Sequence, residues 1–242
     1  MVALGDSITV AFDATQPLSA QPQYSWATGT VPAVKSVAAR LRASGAENLN
    51  ADNLAVPGAR MDALASQAGG VPVGTGLVTV LLGANDACTS SEAAMTPVAD
   101  FRTQLDAGLS AIADRGVERI VVASVPDVYL LWQVGGTDAQ ALRIWNQFAI
   151  CPTMLAAPQS TAPTDQARRE RVRQRIEDYN EQLALGCAAV VGTDCTYDEG
   201  AVFDEAFELS DLSAIDFFHP SPAGQAAIAE VVFDASGYAS SG

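Results

Sequence analysis

The most constraining feature of this sequence is the apolar run at residues 77–82, Leu-Val-Thr-Val-Leu-Leu, which stops abruptly at polar residues. A continuous run of this length is typical of a parallel strand that is covered on both faces. Residues 2–4, 48–56 and 120–125 are predicted as further strands, and the predicted strands alternate with segments of helical periodicity. This alternation predicts an α/β protein with a doubly wound parallel sheet.

The segments between these strands carry apolar residues at spacings of three and four, as amphipathic helices do. The strongest helical pattern covers residues 168–185, where pairs such as Arg173 with Glu177 are expected on a solvated face. A weaker pattern predicts a short helix over residues 138–148, and residues 195–203 are expected to contain the last strand. The 242 residues show no linker or internal repeat, so we expect one domain spanning residues 1–242.

Charge narrows the range of partners. The formal net charge is -15, which argues against nucleic acid and anionic membrane surfaces, because both require dense positive charge. No run of 18 apolar residues is present, so we expect no stable insertion into a bilayer. We also expect a monomer.

Four cysteines form an even set without a Cys-x-x-Cys pair, in a chain with a single histidine. This set gives little support to a metal site, and we expect no metal. Two disulfides in an exported protein, its signal peptide removed, is the preferred interpretation, and four buried thiols in a cytosolic protein is the alternative. The expected pairs are Cys88 with Cys151 and Cys187 with Cys195. The second pair requires the preceding helix to run through Val190 and the chain to turn at Gly192, because an extended segment would hold the two Cα atoms about 26 Å apart.

Polar or glycine-containing turns follow three of the predicted strands. Ser7 follows the first strand through Gly5 and Asp6, Gly58 follows the second, and Asn85 follows the third. In open α/β sheets, ligands bind at the carboxyl ends of the strands. We therefore expect these residues to share one site.

The only histidine, His219, lies three residues after Asp216 in a proline-rich turn before a helix. This spacing lets a carboxylate fix one imidazole nitrogen and leaves the other free as a base. A serine needs such a base to act as a nucleophile, so we predict that Ser7, His219 and Asp216 form a catalytic triad. The backbone N–H groups of Ser7 and Gly58 and the Asn85 amide are the predicted oxyanion hole.

With these residues in place, the sequence resembles the SGNH, or GDSL, hydrolase superfamily. Four blocks in register carry the resemblance: Gly5-Asp6-Ser7-Ile8, residues 53–58, Gly83-Ala84-Asn85-Asp86, and Asp216-x-x-His219-Pro220. The resemblance implies a flavodoxin-like, three-layer α/β/α fold. It also implies ester hydrolysis through an acyl-enzyme without a cofactor, in a protein similar to secreted bacterial esterases and lipases.

The leading hypothesis is therefore a secreted serine esterase that acts on short to medium acyl esters, with lipid esters among the candidate substrates. Removal of acetyl groups from polysaccharide is the alternative, and a non-catalytic binding module on the same fold is a remote one. The expected partner is a small-molecule, lipid or carbohydrate ester. Five aromatic residues are predicted to bind it by holding acyl chains or stacking on sugars: Tyr24, Trp26, Tyr129, Trp132 and Trp145.

Overall fold

The computed structural model describes residues 1–238 and contains a five-stranded sheet in the order β2-β1-β3-β4-β5. Every neighbouring pair of strands is parallel, which confirms the predicted fold class. The strands are β1 (Val2–Gly5), β2 (Asp52–Asn53), β3 (Leu77–Leu81), β4 (Arg119–Val122) and β5 (Asp194–Tyr197).

Helices cover both faces of the sheet. The connection from β1 to β2 leaves in the opposite direction to the later connections, and right-handed crossovers therefore place its helix on the opposite face. Accordingly, α1 packs against α9, whereas α4 packs between α2 and α8. The α-helices are α1 (Val37–Ala43), α2 (Leu64–Ala68), α3 (Ala84–Ala87), α4 (Val98–Ala113), α5 (Val128–Gly135), α6 (Ala139–Phe148), α7 (Pro152–Leu155), α8 (Pro163–Ala188) and α9 (Pro222–Ala235).

β2, β3 and β4 are shorter than predicted, most clearly β2 at the sheet edge. The second strand was expected over residues 48–56, yet only Asp52–Asn53 pairs with β1 as a regular ladder. The chain continues beside β1 through single hydrogen bonds, from the Leu54 N–H to the Ala3 carbonyl and from the Val56 N–H to the Gly5 carbonyl. Pro57 and Gly58 then turn the chain away, which limits this edge strand.

The segment between β4 and α8 holds three helices, where the sequence predicted one. The predicted helix is α6, while α5 and α7 were missed. Aspartates begin two of these helices. The Asp127 carboxylate accepts the Tyr129 N–H, and the Asp138 carboxylate accepts the N–H groups of Gln140 and Ala141.

Both predicted disulfides are present. Cys88 and Cys151 join the turn after α3 to the start of α7 across 63 residues of sequence. Cys187 and Cys195 join the end of α8 to β5, with Cα atoms 5.4 Å apart. α8 ends at Ala188 rather than at Val190, and the chain then turns at Gly192, which has a φ of 82°.

Among the described residues, no helix is both long and apolar enough to cross a membrane.

Candidate active site

The candidate active site lies at the carboxyl edge of the sheet, between β1 and β3. In this strand order the chain leaves β1 and β3 in opposite directions, which opens a crevice where ligands bind. Ser7 follows β1 directly, and Asn85 lies in α3, directly after β3. Both residues therefore lie beside the crevice.

The turn that carries Ser7 depends on a glycine at position 5. A Cβ atom at Gly5 would lie 2.3 Å from the Thr9 Oγ1 and 2.7 Å from the Leu81 carbonyl oxygen, closer than atoms can approach. The Gln67 side chain holds both backbone polar groups of Gly5, because its Oε1 accepts the N–H at 2.8 Å and its Nε2 donates to the carbonyl at 2.8 Å. These two hydrogen bonds hold the backbone of the turn that carries Ser7.

The structure brings Ser7, His219 and Asp216 together. The Ser7 Oγ lies 2.9 Å from the His219 Nε2, and the His219 Nδ1 lies 2.5 Å from the Asp216 Oδ2. The other carboxylate oxygen, Oδ1, accepts the backbone N–H groups of Phe218 at 2.9 Å and His219 at 3.0 Å. Asp216 thus orients the imidazole and closes the turn that carries it.

This arrangement suits proton transfer from the serine. When His219 is neutral and protonated on Nδ1, it donates to Asp216 and its free Nε2 accepts the Ser7 hydroxyl proton. The rings of Phe12 and Phe218 contact the imidazole in tilted and edge-on arrangements, with centroids 5.4 Å and 5.3 Å away. They supply apolar contact on two sides of the base.

Two backbone donors face the same cleft. The N–H groups of Ser7 and Gly58 donate to no acceptor among residues 1–238, and both residues line the cleft. Gly58 has a φ of 79°, a conformation that a glycine adopts without the cost that a side chain would add. These N–H groups are free to meet charge that develops on a bound carbonyl oxygen.

Asn85 also lines the cleft, and its amide is already held by protein groups. Its Nδ2 donates to the Ala59 carbonyl at 3.0 Å and to the Asp6 Oδ2 at 3.3 Å. These two contacts orient the amide at the edge of the cleft. The neighbouring Asp86 ties this region to the turn of Gly58, because its Oδ2 accepts the Met61 N–H at 3.0 Å.

Two carboxylates near the site were not singled out from the sequence. Burial raises the pKa of Asp6 to about 7. Burial and the negative charge of Asp216 also raise the pKa of Asp13. Asp6 lies within the first motif block and could have been recognised there, whereas the sequence around Asp13 carries no such signal.

Asp13, Asp216 and His219 each place one metal-ligating atom within 4.8 Å of the others. Two of these residues are already joined by the hydrogen bond between the imidazole and Asp216. A cation at this position would compete with that bond.

The cleft has a volume of about 610 Å³ and largely apolar walls. Side chains of α6 and of the segment after it form one wall, and Phe148 at the rim is 64% exposed. No Lys or Arg is among the described residues that line it. The apolar lining residues are Phe12, Pro17, Leu18, Pro57, Ile144, Phe148, Ile150, Ile215 and Phe218.

The five aromatic residues predicted to bind substrate do not line this cleft. Trp26 is fully buried, and its indole N–H donates to the Thr9 hydroxyl. Trp145 is 1% exposed and donates to the Phe217 carbonyl. The other three residues also lie outside the cleft: Tyr24 in the turn of residues 22–24, and Tyr129 and Trp132 packed against each other on α5.

The fold and the site define the class of protein: a three-layer α/β/α chain of the SGNH hydrolase type. The chain matches the GDSL-like lipase/acylhydrolase family over residues 3–227, and it belongs to that family. A solved structure from Streptococcus pneumonia, provisionally named a platelet activating factor, has a TM-score of 0.54. The two share 16% sequence identity, and the match covers 96% of this chain and 81% of the other, so this likeness shows the fold alone. No curated protein matches the chain.

Proposed function

We propose that this protein is a serine carboxylester hydrolase that cleaves short to medium acyl esters through an acyl-enzyme at Ser7. The observation that carries the proposal is the chain of contacts from the Ser7 Oγ to the His219 Nε2 and from the His219 Nδ1 to Asp216, at 2.9 Å and 2.5 Å. Membership of the GDSL-like lipase/acylhydrolase family supports hydrolysis of esters in general.

In the proposed mechanism, His219 removes the Ser7 proton as the hydroxyl oxygen attacks the ester carbonyl. The oxyanion is met by the N–H groups of Ser7 and Gly58 and by the Asn85 amide. His219 then gives its proton to the leaving alcohol, and the acyl group remains on Ser7. Water, deprotonated by the same imidazole, releases the acid and restores the serine.

The walls of the cleft favour an alkyl chain over a sugar. Three phenylalanines and three isoleucines line it, and apolar side chains of this kind bind hydrocarbon. The test is hydrolysis of p-nitrophenyl esters from acetate to decanoate, alongside acetate release from acetylated xylan. Activity on the p-nitrophenyl series supports the proposal, activity on xylan alone points to a carbohydrate esterase, and activity on neither contradicts ester hydrolysis at this site.

We further propose that the protein acts outside the cytoplasm. The two disulfides support this location, because such bonds persist in oxidising compartments. A thiol assay on protein taken from its natural source tests it: no reactive thiol is expected, and four reactive thiols in the unfolded chain would contradict it.

A further inference from the structure

A second, smaller cavity of about 40 Å³ adjoins the cleft at Phe218, which lines both spaces. Its other walls come from β1, α3, α5 and α9 or from the turns beside them. They include Ile8, Ala84, Val128, Leu131, Leu212 and Ile228. Among the described lining residues, Phe218 is the only one that the two spaces share.

The small cavity suits hydrocarbon better than water. Of its walls, Val128 is 4% exposed and Ile228 is fully buried. Its two carboxylates already have partners, since Asp127 pairs with Arg173 at 2.9 Å and Asp211 accepts the Glu208 N–H at 2.9 Å. Cavities with apolar walls stay dry and bind apolar groups.

The cavity also lies close to the reacting atoms. Ile8 follows Ser7, Ala84 precedes Asn85, and Phe218 precedes His219 in the sequence. Each segment that supplies the nucleophile, an oxyanion donor or the base thus also supplies a wall of the cavity.

We propose that this cavity is a second subsite for the end of an alkyl chain and that the Phe218 side chain is its gate. This proposal rests on the function proposed above. The backbone N–H of Phe218 donates to the Asp216 Oδ1, whereas the side chain contacts His219 only through ring packing. Rotation of the side chain therefore opens the cavity while the hydrogen bond that positions Asp216 remains.

The direct test is the substitution Phe218→Ala, assayed on p-nitrophenyl esters from acetate to dodecanoate. Burial of each methylene strengthens binding about fourfold. Two to three more buried methylenes should raise the ratio of kcat/KM for dodecanoate to that for acetate by at least about tenfold. Addition of Leu131→Phe to this variant refills the cavity from α5 and should cancel the gain.

Phe148→Ala is the matched control. Phe148 lines the cleft but not the small cavity, so its loss removes apolar contact and should lower the same ratio. A rise of equal size in Phe148→Ala would show general loosening and overturn the gate. An unchanged chain-length ratio in Phe218→Ala, both for these esters and for the alkyl acetates described next, would also overturn it. Should Phe218→Ala lose activity on every ester, Phe218→Leu, which keeps an apolar side chain against His219, carries the same test.

A parallel series of alkyl acetates, from ethyl to decyl, shows which side of the ester enters the subsite. A gain confined to the acyl series places the acyl chain there, and a gain confined to the alkyl acetates places the alcohol chain there. No activity of the wild-type protein on any of these esters would contradict the proposed function itself. A wild-type activity whose chain-length profile Phe218→Ala leaves unchanged in both series would contradict only the gate.

Discussion

The Oγ of Ser7 and the Nε2 of His219 lie 2.9 Å apart although 212 residues separate them in the sequence. Ser7 is held by β1 at the centre of the sheet, and His219 by the turn before α9. The side chain of Gln225 in α9 joins the two regions, because its Nε2 donates to the Ile8 carbonyl at 2.8 Å. The contact between the proposed nucleophile and base therefore forms only when both ends of the chain have folded onto the sheet.

Asn85→Ala should lower kcat by roughly 10²–10³-fold, with a smaller change in KM. The amide would meet charge that appears mainly in the transition state, so its loss affects the chemical step more than binding. Steady-state kinetics on p-nitrophenyl butyrate measure the effect. A change confined to KM would make Asn85 a substrate-binding residue instead.

Asp216→Asn should lower kcat by roughly 10³–10⁴-fold. An asparagine oxygen can still accept the Phe218 N–H, but an amide cannot stabilise the required tautomer or the imidazolium as a carboxylate does. Asp13→Asn is the matched comparison, because Asp13 lies within 4.8 Å of the same groups but makes no hydrogen bond to His219 among the described contacts. Equal losses in the two variants would argue that overall negative charge, rather than the bond from Asp216, supports the base.

The sequence grouped the candidate catalytic residues at one edge of the sheet, but it did not identify the residues that line the cleft. Ser7, Gly58 and Asn85 follow strands, and parallel strands end at one edge of a sheet, so local patterns were sufficient to group them. Trp26 and Trp145, for example, were predicted to bind substrate, but both are buried in the core. Whether a large aromatic ring fills the core or lines a cleft depends on tertiary packing, which local periodicity does not record.

The helices before and after α6 show a related limit. Asp127 and Asp138 are recognisable N-cap residues, but α5 and α7 have only 8 and 4 residues and carry no sustained apolar period. The wall of the cleft is formed by this segment and held by the Cys88–Cys151 disulfide. The sequence predicted that pair but not that the neighbouring Ile150 lines the cleft.

Asp6→Asn should change how stability depends on pH. Burial raises the folded pKa of Asp6 to about 7, above the value of about 3.9 in an unfolded chain. The folded state then binds a proton that the unfolded state has lost, so this contribution to stability is complete below about pH 4 and is lost as the pH rises towards 7. Asparagine does not titrate, and its Oδ1 can still accept the Ile8 N–H.

The measurement is urea unfolding of wild type and Asp6→Asn at several pH values from 4.5 to 7.5. Wild type should lose stability relative to the variant as the pH rises. Asp62→Asn, which removes one carboxylate from an exposed position, is the matched control for the loss of a negative charge. If the free energies of unfolding of wild type and Asp6→Asn change in parallel with pH, the raised pKa of Asp6 is contradicted.

Removal of the Cys88–Cys151 disulfide by a double substitution to serine should destabilise the protein by about 4 kcal/mol in the chain-entropy model, because the bond closes a long loop. The Cys187–Cys195 bond closes a short loop, and its loss should cost about 2.5 kcal/mol. Only the first removal should also lower activity on long-chain esters, since Cys151 follows the cleft residue Ile150. Equal effects of the two removals on the chain-length profile would argue against a role for the first bond in the cleft wall.

The central claim is that Ser7 and His219 act as one nucleophilic unit, and kcat/KM of Ser7→Ala, His219→Ala and the double variant on a p-nitrophenyl ester tests it most directly. Each single substitution should lower the rate by at least about 10³-fold, and the double variant should be no slower than either single variant, because losses within one catalytic unit do not add. Unfolding curves like that of wild type serve as the control for folding. If either single variant keeps more than a few per cent of the activity, or if the two losses multiply, the triad at this site is contradicted.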